Sequence, residues 1–208
     1  MKLIIFGTGG HAESTLDLAI ALKYDIQGYI DPETPLRAWN GLPVFQSISE
    51  IDIEDSLTFV LGLGSISIRK RVVAETIQFF PGATFPTLIH PTAQVSNRAR
   101  IGFGSCIFAN SYVGPGVTIG NYCIINTASC IEHNSRIEDH VVVGPGVIVG
   151  GTVEIGKNAM IGIGAVVSNQ VKIGEDSVVG GNSYVNSNIP SNVVAYGTPA
   201  RIIRKSDN

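Results

Sequence analysis

A strict six-residue repeat governs the chain from Ile89 to Val185. Within that range an aliphatic residue occupies every sixth position without a miss. A period of six fits neither the 3.6-residue period of an α-helix nor the two-residue alternation of a flat strand. It is the hexapeptide pattern of a parallel β-helix, in which three short strands make one coil of a prism. The aliphatic residues are Ile89, Val95, Ile101, Ile107, Val113, Ile119, Ile125, Ile131, Ile137, Val143, Val149, Ile155, Ile161, Val167, Ile173, Val179 and Val185.

Two further positions of the repeat support this interpretation. The residue two before each aliphatic is small in nearly every repeat, as at Ala93, Ser105 and Ser129. Alternation along a strand turns both positions inward, so one large and one small residue fill each face of a narrow prism. Glycine often follows the aliphatic residue, as at Gly102 and Gly144. We expect these glycines to ease the corners between faces, where φ is often unusual.

Composition excludes several classes of protein. The net charge of −3 leaves no basic surface for nucleic acid, which we do not expect as a partner. No apolar run reaches the ~20 residues that span a membrane, so no membrane association is expected. Three cysteines, an odd number, do not form a disulfide framework and favour a cytoplasmic location.

The N-terminal part of the chain, 1–85, follows a different pattern, which is typical of an α/β domain. Strand, glycine turn, helix and strand succeed one another, which is a βαβ unit of a parallel sheet. The predicted segments are strands at 3–6, 25–30 and 57–61 and helices at 13–23 and 65–80. The chain therefore divides into a half-Rossmann domain (1–85), a β-helix (86–190) and a C-terminal tail (191–208) that caps the last coil.

The turn after the first strand matches G-x-G-x-x-A at Gly7, Gly9 and Ala12. Backbone N–H groups in such a turn, together with the following helix N-terminus, hold phosphate. Asp31 follows the second strand, about where a ribose hydroxyl is bound. The predicted nucleotide site consists of Gly9, Gly10, His11, Asp31, Gly62 and Gly64. The alternative is a glycine turn kept only for packing, and a domain of this size has room for one nucleotide rather than a redox dinucleotide.

The histidines are His11, His90, His133 and His140. His133 stands two residues after an inward aliphatic, so it is predicted at a corner, outside the prism. His90 precedes a proline at the domain junction and is interpreted as structural.

With these residues in view, the chain resembles the bacterial hexapeptide sugar acyltransferases often called sialic acid O-acetyltransferase-like. That family includes the nucleotide-amino-sugar N-acetyltransferases. The resemblance covers nearly the whole chain and rests on the segments Phe6-Gly7-Thr8-Gly9-Gly10-His11-Ala12, Gly28-Tyr29-Ile30-Asp31, His90-Pro91-Thr92-Ala93, Ile125-Asn126-Thr127, Ile131-Glu132-His133 and Gly197-Thr198-Pro199-Ala200-Arg201. It implies a left-handed β-helix, His133 as general base, a sugar nucleotide in the N-terminal domain, and acetyl-CoA between two subunits of a homotrimer.

Spacing supports a site around His133 independently of the family. Gly151 lies three repeats after His133, so it stacks on the same corner one coil further on. A glycine there leaves room for a thioester, and its N–H is expected to steady the developing oxyanion. Acetyl-CoA is predicted along the later coils, beside Gly151, Ile163, Gly164, Ala165 and Gly181.

Two departures from the family pattern bear on the reaction. Asn134 stands where the family usually has an acidic residue that orients the base, and Val142 stands where it commonly has a second histidine. Glu132 or Glu138 is a candidate source of the missing charge. A weakened base suits an amine better than a hydroxyl, since a neutral amine is already a good nucleophile.

The sequence therefore predicts acetyl-CoA-dependent N-acetylation of a nucleotide-linked amino sugar. Two alternatives within the fold are an O-acetyltransferase acting on a sugar hydroxyl and a catalytically impaired binding protein. A zinc hydratase of the carbonic anhydrase type needs three converging histidines, whereas the repeats contain only His133 and His140. No metal is expected.

Overall fold

A computed structural model describes residues 1–51 and 57–206. The chain forms two compact units, Met1–Leu88 and Ile89–Asn208. Residues 207 and 208, at the end of the second unit, lie outside the described part. The domain boundary predicted at 85/86 lies close to the division between the two units. The boundary predicted at 190/191 lies shortly before the last two strands of the chain.

The N-terminal unit is a five-stranded sheet with order β3-β4-β2-β1-β5. Strand β1 pairs in parallel with β2 and β5, and β2 pairs in parallel with β4. The elements are β1 (Lys2–Phe6), α1 (Gly10–Ala21), β2 (Asp25–Ile30), β3 (Ala38–Trp39), β4 (Leu42–Phe45), a 3₁₀ helix (Ile48–Glu50), β5 (Leu57–Leu61) and α2 (Ile66–Phe79). Both glycine turns thus follow the carboxyl ends of neighbouring strands, β1 and β5.

Strand β1 is apolar from Leu3 to Phe6 because both faces of the sheet are covered. Leu3, Ile4 and Ile5 are fully buried, as a parallel sheet inside an α/β unit requires. The β3–β4 hairpin was not predicted from the sequence. Asn40 and Gly41 both have positive φ, +48° and +75°, which is the turn that an Asn-Gly pair favours.

The second unit is built from two-residue strands in three sheets, as the repeat predicted, and ends with two longer strands. The strands are β6 (Leu88–Ile89), β7 (Gln94–Val95), β8 (Arg100–Ile101), β9 (Cys106–Ile107), β10 (Tyr112–Val113), β11 (Thr118–Ile119), β12 (Ile124–Ile125), β13 (Cys130–Ile131), β14 (Arg136–Ile137), β15 (Val142–Val143), β16 (Ile148–Val149), β17 (Glu154–Ile155), β18 (Met160–Ile161), β19 (Val166–Val167), β20 (Lys172–Ile173), β21 (Val178–Val179), β22 (Tyr184–Val185), β23 (Val193–Gly197) and β24 (Ala200–Lys205). Strands β23 and β24 form an antiparallel pair on β21.

Each sheet collects every third strand of the repeat. The first, β7-β10-β13-β16-β19-β22, is called the apolar sheet because Ile148, Val166 and Tyr184 are exposed on its outer face. The second, β8-β11-β14-β17-β20, is called the charged sheet after residues such as Arg136 and Glu154. The third runs from β6 to β24.

The interior of the β-helix confirms the predicted inward positions. Aliphatic residues such as Ile107 and Val143 are fully buried. The small positions are buried with them, and their hydroxyls bond to backbone carbonyls. Ser105 Oγ donates to Gly120 O and Ser135 Oγ donates to Gly150 O, each at 2.9 Å. Burying a serine costs little when its hydroxyl is satisfied in this way.

The predicted reason for the corner glycines was wrong. Positive φ occurs three residues after the aliphatic residue, as at Asn134 and Gly146, and not at the glycine that follows it directly. That glycine is required by close approach between coils. A Cβ on Gly144 would lie 2.9 Å from both Ile161 O and Ile163 N.

Candidate active site

His133 lies at the corner between β13 of the apolar sheet and β14 of the charged sheet. Its side chain is exposed, and the imidazole lies against Gly151 of the next coil. A Cβ on Gly151 would be 2.6 Å from both Cε1 and Nε2 of His133. Any larger residue would displace the ring, so the pair predicted from spacing is in direct contact.

Asn134 contacts the other ring nitrogen of His133. It has φ +57°, and its Nδ2 lies 3.2 Å from His133 Nδ1. With the amide nitrogen as donor, Nδ1 accepts and a neutral ring carries its proton on Nε2. Half a turn of the amide would present Oδ1 instead, which accepts from Nδ1–H and frees Nε2 to act as a base. An aspartate offers only oxygen, so Asn134 leaves both tautomers accessible.

The expected oxyanion donor is already engaged. The N–H of Gly151 donates to Oδ1 of Asn169, one coil further on, at 2.9 Å. Gly151 therefore contributes space at this corner, and the oxyanion role of its N–H, which here donates to Asn169, stays a prediction. Sequence reasoning did not single out Asn169, although it stands three repeats after Gly151 in the same column.

The other histidine of the repeats belongs to a different corner. His140 follows β14, and its ring stacks on Tyr122 with centroids 5.1 Å apart and planes at 12°. Val142, in the position of the family's second histidine, is buried. The structure thus places only one of the two histidines at the Gly151 corner.

The acidic residues considered as substitutes for the missing charge have other neighbours. Glu132 Oε1 lies 3.6 Å from Cys130 Sγ, and burial followed by this carboxylate raises the pKa of the thiol to about 11. Glu138 pairs with Arg136 at 3.4 Å. Asn134 is therefore the polar side chain seen in contact with the imidazole of His133.

The residues predicted to contact acetyl-CoA lie on both sides of the apolar sheet. Ile163 (62% exposed) and Gly164 form the corner that precedes this sheet, and Gly181 stacks beside Ile163 one coil further on. Gly151 belongs to the corner that follows the sheet. The side chain of Ala165 points into the core and is fully buried, so only its backbone faces outward.

The glycine turn of the N-terminal unit opens to solvent. Gly9 is the N-cap residue of α1, so no side chain occupies the N-terminus of this helix. A Cβ on Gly9, Gly10 or Gly64 would meet nothing within 4 Å. Gly62 differs, since its Cβ would lie 2.8 Å from Ala12 Cβ. The structure therefore assigns Gly62 to packing between the two glycine turns, whereas the other three border open space.

The Asp31 carboxylate holds the glycine turn in place. Its Oδ2 accepts from the N–H and the Oγ1–H of Thr8, at 2.9 and 2.6 Å, and its Oδ1 accepts from Glu33 N–H at 3.1 Å. The sequence predicted a ribose contact for Asp31. The hydrogen bonds of Asp31 also give it a structural role, because they connect the end of β2 to the turn after β1.

His11 follows Gly10 in the first turn of α1, where its environment keeps it neutral. Burial, followed by the charge of Arg69, lowers the pKa of His11 to about 4. At neutral pH the ring therefore offers a hydrogen bond and no positive charge. Arg69, in the first turns of α2, is itself 1% exposed.

Across residues 1–51 and 57–206, no three His, Cys, Asp or Glu side chains are grouped so that they could hold a metal ion. Within the same part of the chain, no helix has both the length and the apolar character that crossing a bilayer requires.

The chain thus combines a glycine-turn α/β unit with a hexapeptide β-helix that carries an exposed histidine at a corner. Residues 2–76 match the family model of the PglD N-terminal domain, and residues 83–179 match that of the GMPPB C-terminal domain.

Similar proteins include a curated relative and several solved structures. GDP-perosamine N-acetyltransferase of Escherichia coli is 31% identical over 101 residues, which is 49% of this chain and 45% of that protein. The match thus spans about half the length of the curated relative.

Among solved structures, a histidine-to-asparagine variant of perosamine N-acetyltransferase from Caulobacter crescentus, in complex with CoA and GDP-perosamine, superposes with a TM-score of 0.90. It is 28% identical, and the match covers 98% of this chain and 97% of that one. The acetyltransferase domain of PglB from Neisseria gonorrhoeae, in complex with acetyl coenzyme A, has a TM-score of 0.90 at 29% identity and covers 97% and 98%.

Proposed function

We propose that this protein transfers an acetyl group from acetyl-CoA to the amino group of a nucleotide-linked sugar. The observation that carries the proposal is the exposed imidazole of His133 lying directly over Gly151. The same fold, over nearly the whole chain, serves relatives crystallised with CoA and GDP-perosamine or with acetyl coenzyme A. The relatives named for their reaction acetylate nitrogen, which favours an amine acceptor over a hydroxyl.

The reaction is a direct transfer. The neutral amine attacks the thioester carbonyl, an N–C bond forms, and the carbonyl oxygen becomes an oxyanion. Nε2 of His133 takes a proton from the amine, the C–S bond breaks, and the CoA thiolate is protonated as it leaves. An α-amino group has a pKa of ~7.7–8.0, so a comparable sugar amine is partly neutral near pH 7.

Asn134 orients the base without adding charge. In the reactive state its Oδ1 accepts from Nδ1–H of His133, so that Nε2 is free to take the proton. A carboxylate would also stabilise the imidazolium that forms, as the aspartate does in a serine protease triad. This protein forgoes that charge, which an amine acceptor tolerates better than a hydroxyl acceptor does.

The N-terminal unit binds the nucleotide of the acceptor. The open glycines Gly9, Gly10 and Gly64, with the N-terminus of α1, receive phosphate oxygens. His11 donates a neutral hydrogen bond there, and Asp31 both fixes the turn and lies where a ribose hydroxyl is bound.

The coenzyme and a second subunit share the apolar sheet. Ile148, Val166 and Tyr184 form an exposed apolar strip on its outer face, between the His133 corner and the Ile163 corner. A second copy of the chain would cover this strip and wall the cleft that holds acetyl-CoA beside Gly151, Ile163, Gly164, the Ala165 backbone and Gly181. Cyclic symmetry then closes the assembly as a homotrimer.

A panel of acceptors tests the proposed reaction. The protein is incubated with acetyl-CoA and the GDP-, UDP-, dTDP- and CMP-linked amino sugars, beginning with GDP because of the relatives, and each product is identified by mass spectrometry. We expect one acetyl group in an amide linkage on one of these acceptors. The matched control is the same sugar nucleotide with a hydroxyl in place of the amine, which should react far more slowly. CoA release with none of the amines, or equal reaction of the hydroxyl control, would refute the proposal.

A further inference from the structure

The tip of the β3–β4 hairpin carries the one Asn-Gly pair in the sequence, Asn40-Gly41. Both residues are exposed and have positive φ, +48° and +75°. Asparagine is a chemically labile residue, and it loses ammonia most readily before glycine. The reason is that glycine has no side chain to hinder attack by its own backbone nitrogen on the asparagine amide. An exposed turn tip is also a place where the chain tolerates such a change.

The Asn40 side chain connects this hairpin to α1. Its Nδ2 donates to Oε2 of Glu13, in the first turn of that helix, at 3.1 Å. The preceding residue, Trp39, is half-buried, and its ring contacts the buried ring of Tyr29 on β2. The two ring centroids are 4.8 Å apart, with planes at 72°. The neutral amide of Asn40 therefore holds the tip of the hairpin against α1, which a carboxylate beside Glu13 could not do.

We propose that Asn40 is a site of spontaneous deamidation, which replaces the hydrogen bond to Glu13 with a repulsion and releases the hairpin from α1. The backbone nitrogen of Gly41 attacks Cγ of Asn40, and the Cγ–Nδ2 bond breaks. The amide nitrogen takes the proton of the Gly41 N–H and leaves as ammonia. Water then opens the cyclic succinimide to aspartate or isoaspartate. The new carboxylate has no N–H to donate and carries the same charge as Glu13.

Other asparagines of the chain provide internal controls. Asn110 and Asn192 are exposed and have the same left-handed backbone, with φ of +58° and +61°. They precede Ser111 and Val193, whose side chains hinder attack by the backbone nitrogen. Exposure and positive φ are therefore shared by all three asparagines, whereas a following glycine is found only at Asn40.

Peptide mapping by mass spectrometry tests the modification. The purified protein is kept in mildly alkaline buffer, which speeds the reaction by deprotonating the attacking nitrogen. We expect aspartate and isoaspartate to accumulate at position 40 well before any acid forms at Asn110 or Asn192. Asn40→Gln should stay unmodified, because its longer side chain closes a ring more slowly, and glutamine adopts positive φ at Gln170 (+63°). Asn40 that stays intact for as long as Asn110 would overturn the proposal.

Release of the hairpin has its own readout, because Trp39 is the single tryptophan of the chain. Asn40→Asp should shift the fluorescence emission to longer wavelength, since a loosened hairpin exposes the ring to water. Adding Glu13→Gln removes the repulsion and restores a donor, so the double variant should emit as the wild type does. Unchanged emission in Asn40→Asp, or a shift that Glu13→Gln does not reverse, would overturn the release. Both measurements are made without acetyl-CoA or an acceptor, so their outcome is independent of the proposed function.

Discussion

At the scale of single residues, His11 has an ionisation state that the sequence does not reveal. Its place after the glycine turn was predicted, but a histidine at a helix N-terminus near phosphate is easily taken for a cation. Burial and Arg69 lower its pKa to about 4, so the ring is neutral. The neutral state depends in part on Arg69 in α2, which is distant from His11 in the sequence. The residues around His11 therefore do not reveal it.

The lowered pKa of His11 predicts a loss of stability in mild acid. The unfolded histidine has a pKa near 6.5 and the folded one about 4, so between these values the unfolded state binds the extra proton. The stabilising contribution is complete above the unfolded pKa and is lost as pH falls towards the folded one, by up to ~1.4 kcal/mol per pH unit. Urea unfolding at pH 7 and pH 5 should show a larger loss for the wild type than for His11→Gln. Equal losses would mean that His11 is not held neutral.

The contacts at the His133 corner show what the spacing of the repeats can predict and what it cannot. A spacing of three repeats was sufficient to place His133 over Gly151, because stacked coils put equivalent positions in contact. It was insufficient to show that Gly151 N–H bonds to Asn169, since that depends on a side-chain rotamer. The link from Asp31 to Thr8 was missed for the same reason.

At the scale of elements, each turn of the β-helix has two positions that favour glycine for different reasons. The glycine directly after an aliphatic residue allows two coils to approach closely, whereas the residue two further on adopts positive φ. The sequence showed the first position clearly but suggested the wrong reason for it. Backbone distances between coils are needed to tell close approach from an unusual φ.

A pair of substitutions in one turn distinguishes these two reasons. Gly144→Ala places a Cβ 2.9 Å from Ile161 O, so it should lower the free energy of unfolding by about 1–3 kcal/mol, as overpacking does. Gly146→Asn is the matched control, because asparagine tolerates the φ of +65° at this position and an added Cβ would meet no atom within 4 Å. It should be nearly neutral. Chemical denaturation of both variants gives the comparison, and equal destabilisation would contradict the assignment.

At the scale of the whole molecule, the two predicted parts were recognisable because each has its own period. The hexapeptide repeat determined the three sheets and the inward positions almost completely. The apolar outer strip could not be predicted with the same ease, because Ile148, Val166 and Tyr184 stand three repeats apart and look unrelated along the chain. Only the stacking of coils makes them one surface.

If the apolar strip is the contact surface of the proposed homotrimer, a charge placed on it should disrupt the assembly. Ile148→Asp places a charge in the middle of the surface that a second copy would cover, so the trimer should dissociate and acetyl transfer should fall. Thr118→Asp, on the charged sheet, is the control and should leave the assembly unchanged. Light scattering coupled to size exclusion measures the mass of each variant. A monomeric wild type at micromolar concentration, or an intact Ile148→Asp trimer, would contradict the role of the strip.

The most direct measurement of the whole account is the turnover of His133→Ala with the acceptor found in the panel. Removal of a general base costs ~10²–10⁴-fold in rate, so kcat should fall by that factor. Affinity for acetyl-CoA and for the sugar nucleotide, measured by calorimetry, should be unchanged, and His140→Ala should cost far less. If His133→Ala instead retains near-normal turnover, the corner over Gly151 is not where the amine loses its proton, and the proposed mechanism is wrong.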